Sequence, residues 1–374
     1  MKIKIILALL LIPFFSVAQR YQHLLIGTYT KSQNNGIFVY KFDTQSGNLS
    51  FESKTDSIKN PSYLAINNNG TKVYSVSEQG KDRNGAVNAF NFDSKTGELS
   101  FINTQSTIGG GPCYISIAND NKYVFTANYG TGSVSALPLN NDGSVAPLAQ
   151  LIQHEGSSIN KNRQLGPHAH SVIFSNDGKT LFNADLGLDK LFAYDYEPLL
   201  KDPLQSAAQP FIDINPGFGP RHFAFNKKGD KLYLLSEMKA AITIFDYKDK
   251  VLSKNKIVDL DQVGFTGKDG GADIHLSNDG RFLYATNRGD ANEIVIFKID
   301  DKNGSLTRIG SQSSLGKTPR NFVIDPTDSF LLVANQDSDD IYVFRRNKKT
   351  GLLTYTNKML SIGNPVCLKM TAVK

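Results

Sequence analysis

His168 and His170 stand two residues apart at the entrance of the stretch Gly166–Gly187, and Asp185 stands at its exit. Two short apolar runs, Ser171–Phe174 and Thr180–Phe182, are joined there by Asn176-Asp177-Gly178. That turn sequence brings the outer ends of two antiparallel strands together. Imidazoles and a carboxylate at one sheet edge can do general acid–base work near neutral pH. A second constellation follows at Arg221-His222, with Ser236-Glu237 at the far end of its stretch. A guanidinium beside an imidazole and a carboxylate suits a developing oxyanion next to a proton acceptor. His168 and His170 could also chelate a metal with Asp185, but an isolated His-x-His is thin evidence, and the expected site holds no metal and no cofactor.

Other candidates for chemistry fall away. Gly109-Gly110-Gly111 precedes a strand pattern rather than a helix, so it is no phosphate-cradling loop. Ser75, Ser77 and Ser236 lack a nucleophile elbow. His23, His154 and His275 read as ordinary surface or packing residues.

The elements that must position these residues recur along the chain. The pattern is Gly/Asn-Pro, a strand, a Gly/Asn/Asp turn, a second strand, then Asn, Glu or Asp. It is found as NPSYLAINNNGTKVYSVSE from Asn60, GPCYISIANDNKYVFTANYG from Gly111 and GPRHFAFNKKGDKLYLLSE from Gly219. It returns as GADIHLSNDGRFLYATNRG from Gly271, TPRNFVIDPTDSFLLVANQ from Thr318 and NPVCLKM from Asn364. With the His168 stretch there are seven copies, whose Pro-equivalent positions are 61, 112, 167, 220, 272, 319 and 365, about 51 residues apart on average. A second, alternating hairpin follows each copy, as in GIFVYKFDTQSGNLSFES from Gly36. This period and strand chemistry predict an all-β fold, a seven-bladed β-propeller with four antiparallel strands per blade. The last copy has a first strand without a second, and YQHLLIGTYT near the start has a second without a first. Joined, they complete one blade and close the ring, which removes free sheet edges.

In such a ring the first strand of each blade lies nearest the axis, and every repeat delivers its opening and closing polar residues to one channel mouth. Around it come Thr28 and Tyr29, Glu78, Asn128 and Tyr129, then His168, His170 and Asp185. Arg221, His222 and Glu237 follow, then Asp273, Asn287 and Arg288, and Arg320, Asn321 and Asn335. Asn287, Asn335 and Asp185 have a second reading, as braces for loop backbone groups. The irregular piece from Gln153 to Gly166 ends at this mouth and can fold over it.

Composition limits the function classes. The chain has 374 residues, 40% hydrophobic, and a formal charge of +6. That charge is spread without a Lys/Arg run, which suits a small anion at one site and argues against nucleic acid. Lys2 and Lys4 precede an apolar run from Ile5 to Phe15, and Ser16-Val17-Ala18 offers small residues for cleavage before Gln19. Residues 1–18 therefore read as a secretory signal peptide and 19–374 as the propeller domain. The mature chain is expected in the periplasm or secreted, off the membrane, as a monomer or weak homo-oligomer. Cys113 and Cys367 fall two blades apart and are expected as buried thiols.

The chain resembles the seven-bladed-propeller lactonase family, whose named activity is 6-phosphogluconolactonase. The resemblance covers essentially the whole mature chain. It is carried by Arg163-Gln164 with Gly166-Pro167-His168-Ala169-His170-Ser171, by Asp185-Leu186-Gly187, and by Gly219-Pro220-Arg221-His222 with Ser236-Glu237. Ala285-Thr286-Asn287-Arg288-Gly289 and Thr318-Pro319-Arg320-Asn321-Phe322 add to it. The same fold family includes a fungal cyclase acting on carboxy-muconate, so the fold alone does not fix the reaction. The resemblance implies a metal-independent site with His170, Arg221, His222 and Glu237 as the catalytic set. Arg163, Gln164, His168, Asp185, Asn287, Arg288, Arg320 and Asn335 are the expected substrate-binding set, in which Arg163, Arg288 and Arg320 are candidates for a phosphate or carboxylate because guanidinium binds such groups bidentately.

The expected partner is a small, anionic sugar lactone. Water would attack its carbonyl with His170 or His222 as base, Arg221 at the oxyanion and Glu237 orienting the pair. Export stands apart from the family's named substrate, which is made inside the cell, and points to another sugar lactone or a nominal assignment. The alternatives are a muconate-type lactonising cycloisomerase and a non-enzymatic binding propeller.

Overall fold

The computed structural model describes residues 20–30, 36–56, 58–80 and 85–374. The expected signal peptide, residues 1–18, lies outside them. Among the described residues there are 28 strands and no helix, and the strands form seven four-stranded antiparallel sheets. Seven strands run innermost: Pro365–Ala372 in blade 1, Leu64–Ile66 in blade 2, Pro112–Ile117 in blade 3, Ala169–Phe174 in blade 4, Pro220–Phe225 in blade 5, Gly271–Leu276 in blade 6 and Pro319–Ile324 in blade 7. Each lies against the next around the ring.

Blade 1 is built from both ends of the chain. Tyr21–Thr28 pairs with Pro365–Ala372 on one side and Phe38–Asp43 on the other. Its apolar run shows why the ring closes. Side chains alternate faces along a strand, so Leu24 and Ile26 pack with Phe330, Leu332 and Val343 of blade 7, while Leu25 packs with Leu64 and Val73 of blade 2. Fully burying each such side chain contributes about 1.5–3 kcal/mol.

The blade 4 hairpin pairs Ala169–Phe174 with Thr180–Asp185 across the expected turn. Gly178 there has a φ of 71°, a left-handed conformation that favours glycine. Cys113 and Cys367 are free, buried, and in blades 3 and 1.

Candidate active site

Two backbone devices place the site. In blade 5 the amide of Glu237 donates to Gly219 O at 2.7 Å, just before Pro220 pairs with Ser236. The same bond joins Glu78 to Asn60, Tyr129 to Gly111, Leu186 to His168, Arg288 to Gly270, Gln336 to Thr318 and Tyr29 to Asn364. Asn60, Gly111, Gly219, Thr318 and Asn364 hold positive φ, which accounts for Asn and Gly before the proline. A β-bulge follows. In blades 3, 4, 5 and 7 the residue skipped by the pairing is Cys113, His170, Arg221 and Arg320, respectively. A bulge leaves its extra residue unpaired and re-aims the side chain.

This register corrects two sequence alignments. Ala169, opposite Asp185, takes the place of Pro220, opposite Ser236, so the third copy is offset by two residues from Pro167. His170 is thus the counterpart of Arg221, and His168 that of Gly219. In blade 6 the pairing position is Gly271, not Ala272.

The closing strands show a second pattern. In blades 4, 6 and 7 the last paired residue, Asp185, Asn287 or Asn335, makes side-chain bonds that brace the blade, whereas in blades 5 and 6 the residue after the last pair, Glu237 or Arg288, reaches the charged cluster. Asp185, Asn287 and Asn335, expected in the substrate-binding set, have no exposed surface and make bracing bonds. Asp185 accepts from the backbone N–H groups of His168, Gly187 and Leu188 at 2.7, 3.0 and 3.2 Å and from His154 Nδ1 at 2.7 Å. The Asn287 amide is spent on Gly270 N and Asp261, while the Asn335 amide nitrogen donates to Ser314 O and Asp340 and its buried oxygen has no hydrogen-bond partner among the described residues. Gln164, also fully buried, donates to Leu186 O and Asp189 and accepts from Asn160 N, which pins the Gln153–Gly166 insertion. Its bonds in the structure are to the insertion and to blade 4.

Four of the remaining candidates, His170, Arg163, Arg221 and Arg288, meet at Glu237. Its Oε1 accepts from Arg163 Nη2 at 2.7 Å. Its Oε2 lies 3.0 Å from Arg221 Nε, 3.2 Å from Arg288 Nη2 and 3.7 Å from His170 Nε2. Arg163 also donates to Tyr129 Oη at 3.1 Å, and Arg288 is held by Gly270 O and Gly271 O. His222 stands behind Arg221, its Nδ1 at 2.8 Å from Asp273 and its Nε2 at 3.3 Å from Arg221 Nη1. The His170 and His222 rings are 5.3 Å apart, edge to face. Arg320 donates to Tyr29 Oη at 2.9 Å, and that hydroxyl bonds to Glu78. His168 sits at the rim, stacked on Tyr129 with its Nδ1 on Tyr129 O at 2.8 Å. Stacked Tyr63 and Tyr114 meet His222 edge-on from the other side.

A family model described as "Lactonase, 7-bladed beta-propeller" matches residues 23–370. The chain belongs to the seven-bladed β-propeller lactonase family. A 6-phosphogluconolactonase of Bacillus subtilis strain 168 is 35% identical over 348 residues, spanning 92% of this chain and 97% of the relative. Another, from Formosa agariphila, is 36% identical over 92% of this chain and 98% of its own. Among solved structures, a periplasmic gluconolactonase of Pseudomonas aeruginosa superposes with a TM-score of 0.91 at 38% identity, covering 95% of this chain and all of its own. Membership makes the chain a lactone-hydrolysing enzyme, a carboxylic ester hydrolase by reaction class.

The electrostatics of this lactonase site follow from burial and crowding. Burial opposes ionisation of Glu237, but Arg288, Arg221, His170 and Arg163 outweigh it and hold the carboxyl well below the usual range. Burial, with the charge of Arg221, pushes His170 well below the ordinary imidazole value and His222 down to about 3. Both are therefore neutral at physiological pH. Burial, with Arg320 and Arg288, lowers Arg221 to about 10, so it remains a cation. Three guanidinium groups thus share one carboxylate, a local surplus of positive charge facing the mouth. Among the described residues no cluster of His, Cys, Asp and Glu could hold a metal ion.

Two of the residues dismissed in the sequence have definite places. His154 braces Asp185, and its Nε2 meets Tyr194 Oη at 2.7 Å. His275 Nε2 lies 2.9 Å from Asp273, so it belongs to the support of His222 rather than to the surface alone. Asp273 itself was legible as a ring position but not as a hub. The available signal was an acid where the neighbouring blades carry His222 and Asn321.

Proposed function

We propose that the protein hydrolyses an anionic sugar lactone, specifically 6-phospho-D-glucono-1,5-lactone to 6-phosphogluconate. The observation that carries this reading is the buried imidazole of His170 beside Glu237, whose carboxylate is ringed by Arg163, Arg221 and Arg288. Water adds to the lactone carbonyl and gives its proton to His170, a step worth about 10²–10⁴-fold. Glu237, 3.7 Å away, stabilises the imidazolium while it exists. Arg221 receives the oxyanion. Collapse breaks the bond from the carbonyl carbon to the ring oxygen, which takes the proton back and leaves a hydroxy acid.

His170 is the better base because both nitrogens of His222 are engaged, by Asp273 and Arg221. Arg163 and Arg320 are the groups for a substrate phosphate, as they come from the insertion and from blade 7 on either side of the Arg221 cluster. The named activity of the Bacillus and Formosa relatives supports the substrate. The Lys2-Lys4 leader pattern and the periplasmic Pseudomonas relative support action outside the cytoplasm.

The test is a panel of phosphorylated and plain aldonolactones given to the purified chain from Gln19, with acid release followed by pH change. Preferred turnover of the 6-phospho lactone is expected. Turnover of muconate-type lactones alone would make it a cycloisomerase, and binding without turnover a carbohydrate-binding propeller.

A further inference from the structure

Arg221, His222 and Asp273 form a chain of hydrogen bonds leading away from the reacting position, and each link fixes the next. The Asp273 carboxylate is buried and accepts from His222 Nδ1 at 2.8 Å, His275 Nε2 at 2.9 Å, Phe322 N at 3.2 Å and the Asn321 amide. These donors come from blades 5, 6 and 7, so the carboxylate ties three inner strands at one point. Although burial favours the protonated acid, His275 and His222 keep Asp273 well below the carboxylate range. An ionised carboxylate only accepts, so His222 Nδ1 must carry the hydrogen. Nε2 then holds the lone pair, and Arg221 Nη1 donates to it at 3.3 Å.

A guanidinium has donors only, so the opposite tautomer would set hydrogen against hydrogen. Arg221 Nη1 also donates to Ala272 O, and its Nε to Glu237 at 3.0 Å. Nη2, which makes no hydrogen bond to a described residue, is left as the donor pair for a developing oxyanion.

We propose that Asp273 is a positioning residue that acts through His222, holding it in the Nδ1–H tautomer so that it accepts from Arg221 and fixes the guanidinium. This rests on the lactonase reading above, in which Arg221 is the oxyanion donor. It goes further in removing His222 from proton transfer and giving the pair one task. The task is chemical rather than only mechanical. A glutamine at 222 can still present an acceptor to Arg221, whereas a leucine of similar bulk cannot.

Two measurements test it. In the kinetic one, His222→Leu and Asp273→Asn lower kcat about a hundredfold with KM nearly unchanged, while His222→Gln stays within about tenfold of the parent. Equal losses in His222→Gln and His222→Leu, with the acid limb of the pH–rate profile abolished in both, would show His222 to be the base and overturn the proposal. Unchanged kcat in His222→Leu would overturn it as well. The second measurement needs neither variant nor turnover. Imidazole-nitrogen NMR of the histidine-labelled protein is expected to show His222 as the Nδ1–H tautomer, and an Nε2–H tautomer or a cation refutes the relay. A protein that hydrolyses no lactone yet shows the Nδ1–H tautomer would count against the proposed function and leave the tautomer assignment standing.

Discussion

His170 Nε2 lies 3.7 Å from Glu237 Oε2, across the boundary between blades 4 and 5, with both side chains nearly removed from solvent. The carboxylate that would steady a protonated His170 is also the one that holds three arginines. Glu237→Gln keeps the shape and removes the charge, leaving Arg163, Arg221 and Arg288 facing one another. The expected loss is about 10²–10³-fold in kcat, with about 3–5 kcal/mol of stability, because a buried ion pair is broken by removing one partner. Inorganic phosphate should restore part of the lost Tm by occupying the vacated negative position. Steady-state kinetics and thermal unfolding with and without phosphate check this, and a variant with parental kcat would remove Glu237 from the site.

Arg163 and Arg320 are separable from the chemistry by substrate choice. Their replacement by alanine should raise KM for the 6-phospho lactone about 10–100-fold, the worth of a charged hydrogen bond. KM for the plain lactone should change little. Equal effects on both substrates would assign the phosphate to another part of the mouth.

Acid should weaken both activity and fold. His170 and His222 bind protons in the unfolded chain near pH 6.5 but in the folded protein only well below that, at about 3 for His222. Between those values the unfolded state binds more protons, so stability falls as pH falls, by about 1.4 kcal/mol per pH unit for each imidazole. Glu237 and Asp273, whose folded values are depressed, add their loss at still lower pH. Urea unfolding at a series of pH values should show this slope, reduced in His170→Asn. The acid limb of kcat/KM should lie well below pH 6.5, displaced in the direction of the folded His170 shift, and a stability curve flat from pH 7 to 5 would contradict the argument.

Asp185 separates bracing from catalysis. Asp185→Ala strands three backbone donors and His154 in the interior. About 3–5 kcal/mol of stability should be lost. Activity per folded molecule should remain within about tenfold, since the Asp185 side chain meets only His154 and backbone N–H groups and none of the charged side chains around Glu237. A normal Tm with activity abolished would return Asp185 to the substrate.

The repeat, its turn residues and the half-blades at the two ends determined the propeller and its closure from sequence alone. The unbroken apolar run Leu24-Leu25-Ile26 fits a strand buried on two faces. Sequence also placed Arg221, His222 and Glu237 at one mouth, because a hairpin brings its outer ends together whatever else the chain does. Tertiary structure decided which neighbour in each pair works. Asp185, Asn287 and Asn335 face inward as braces, while Glu237 and Arg288, one step further along, face the mouth. Strand pairing decided that His170 rather than His168 is the counterpart of Arg221. A bulge inserts an unpaired residue, so the two-residue period cannot be carried across it without the hydrogen bonds themselves. Asp273 became a hub for the same reason: His222 and Asn321 lie about fifty residues away on either side, and only the closed ring brings them to one carboxylate.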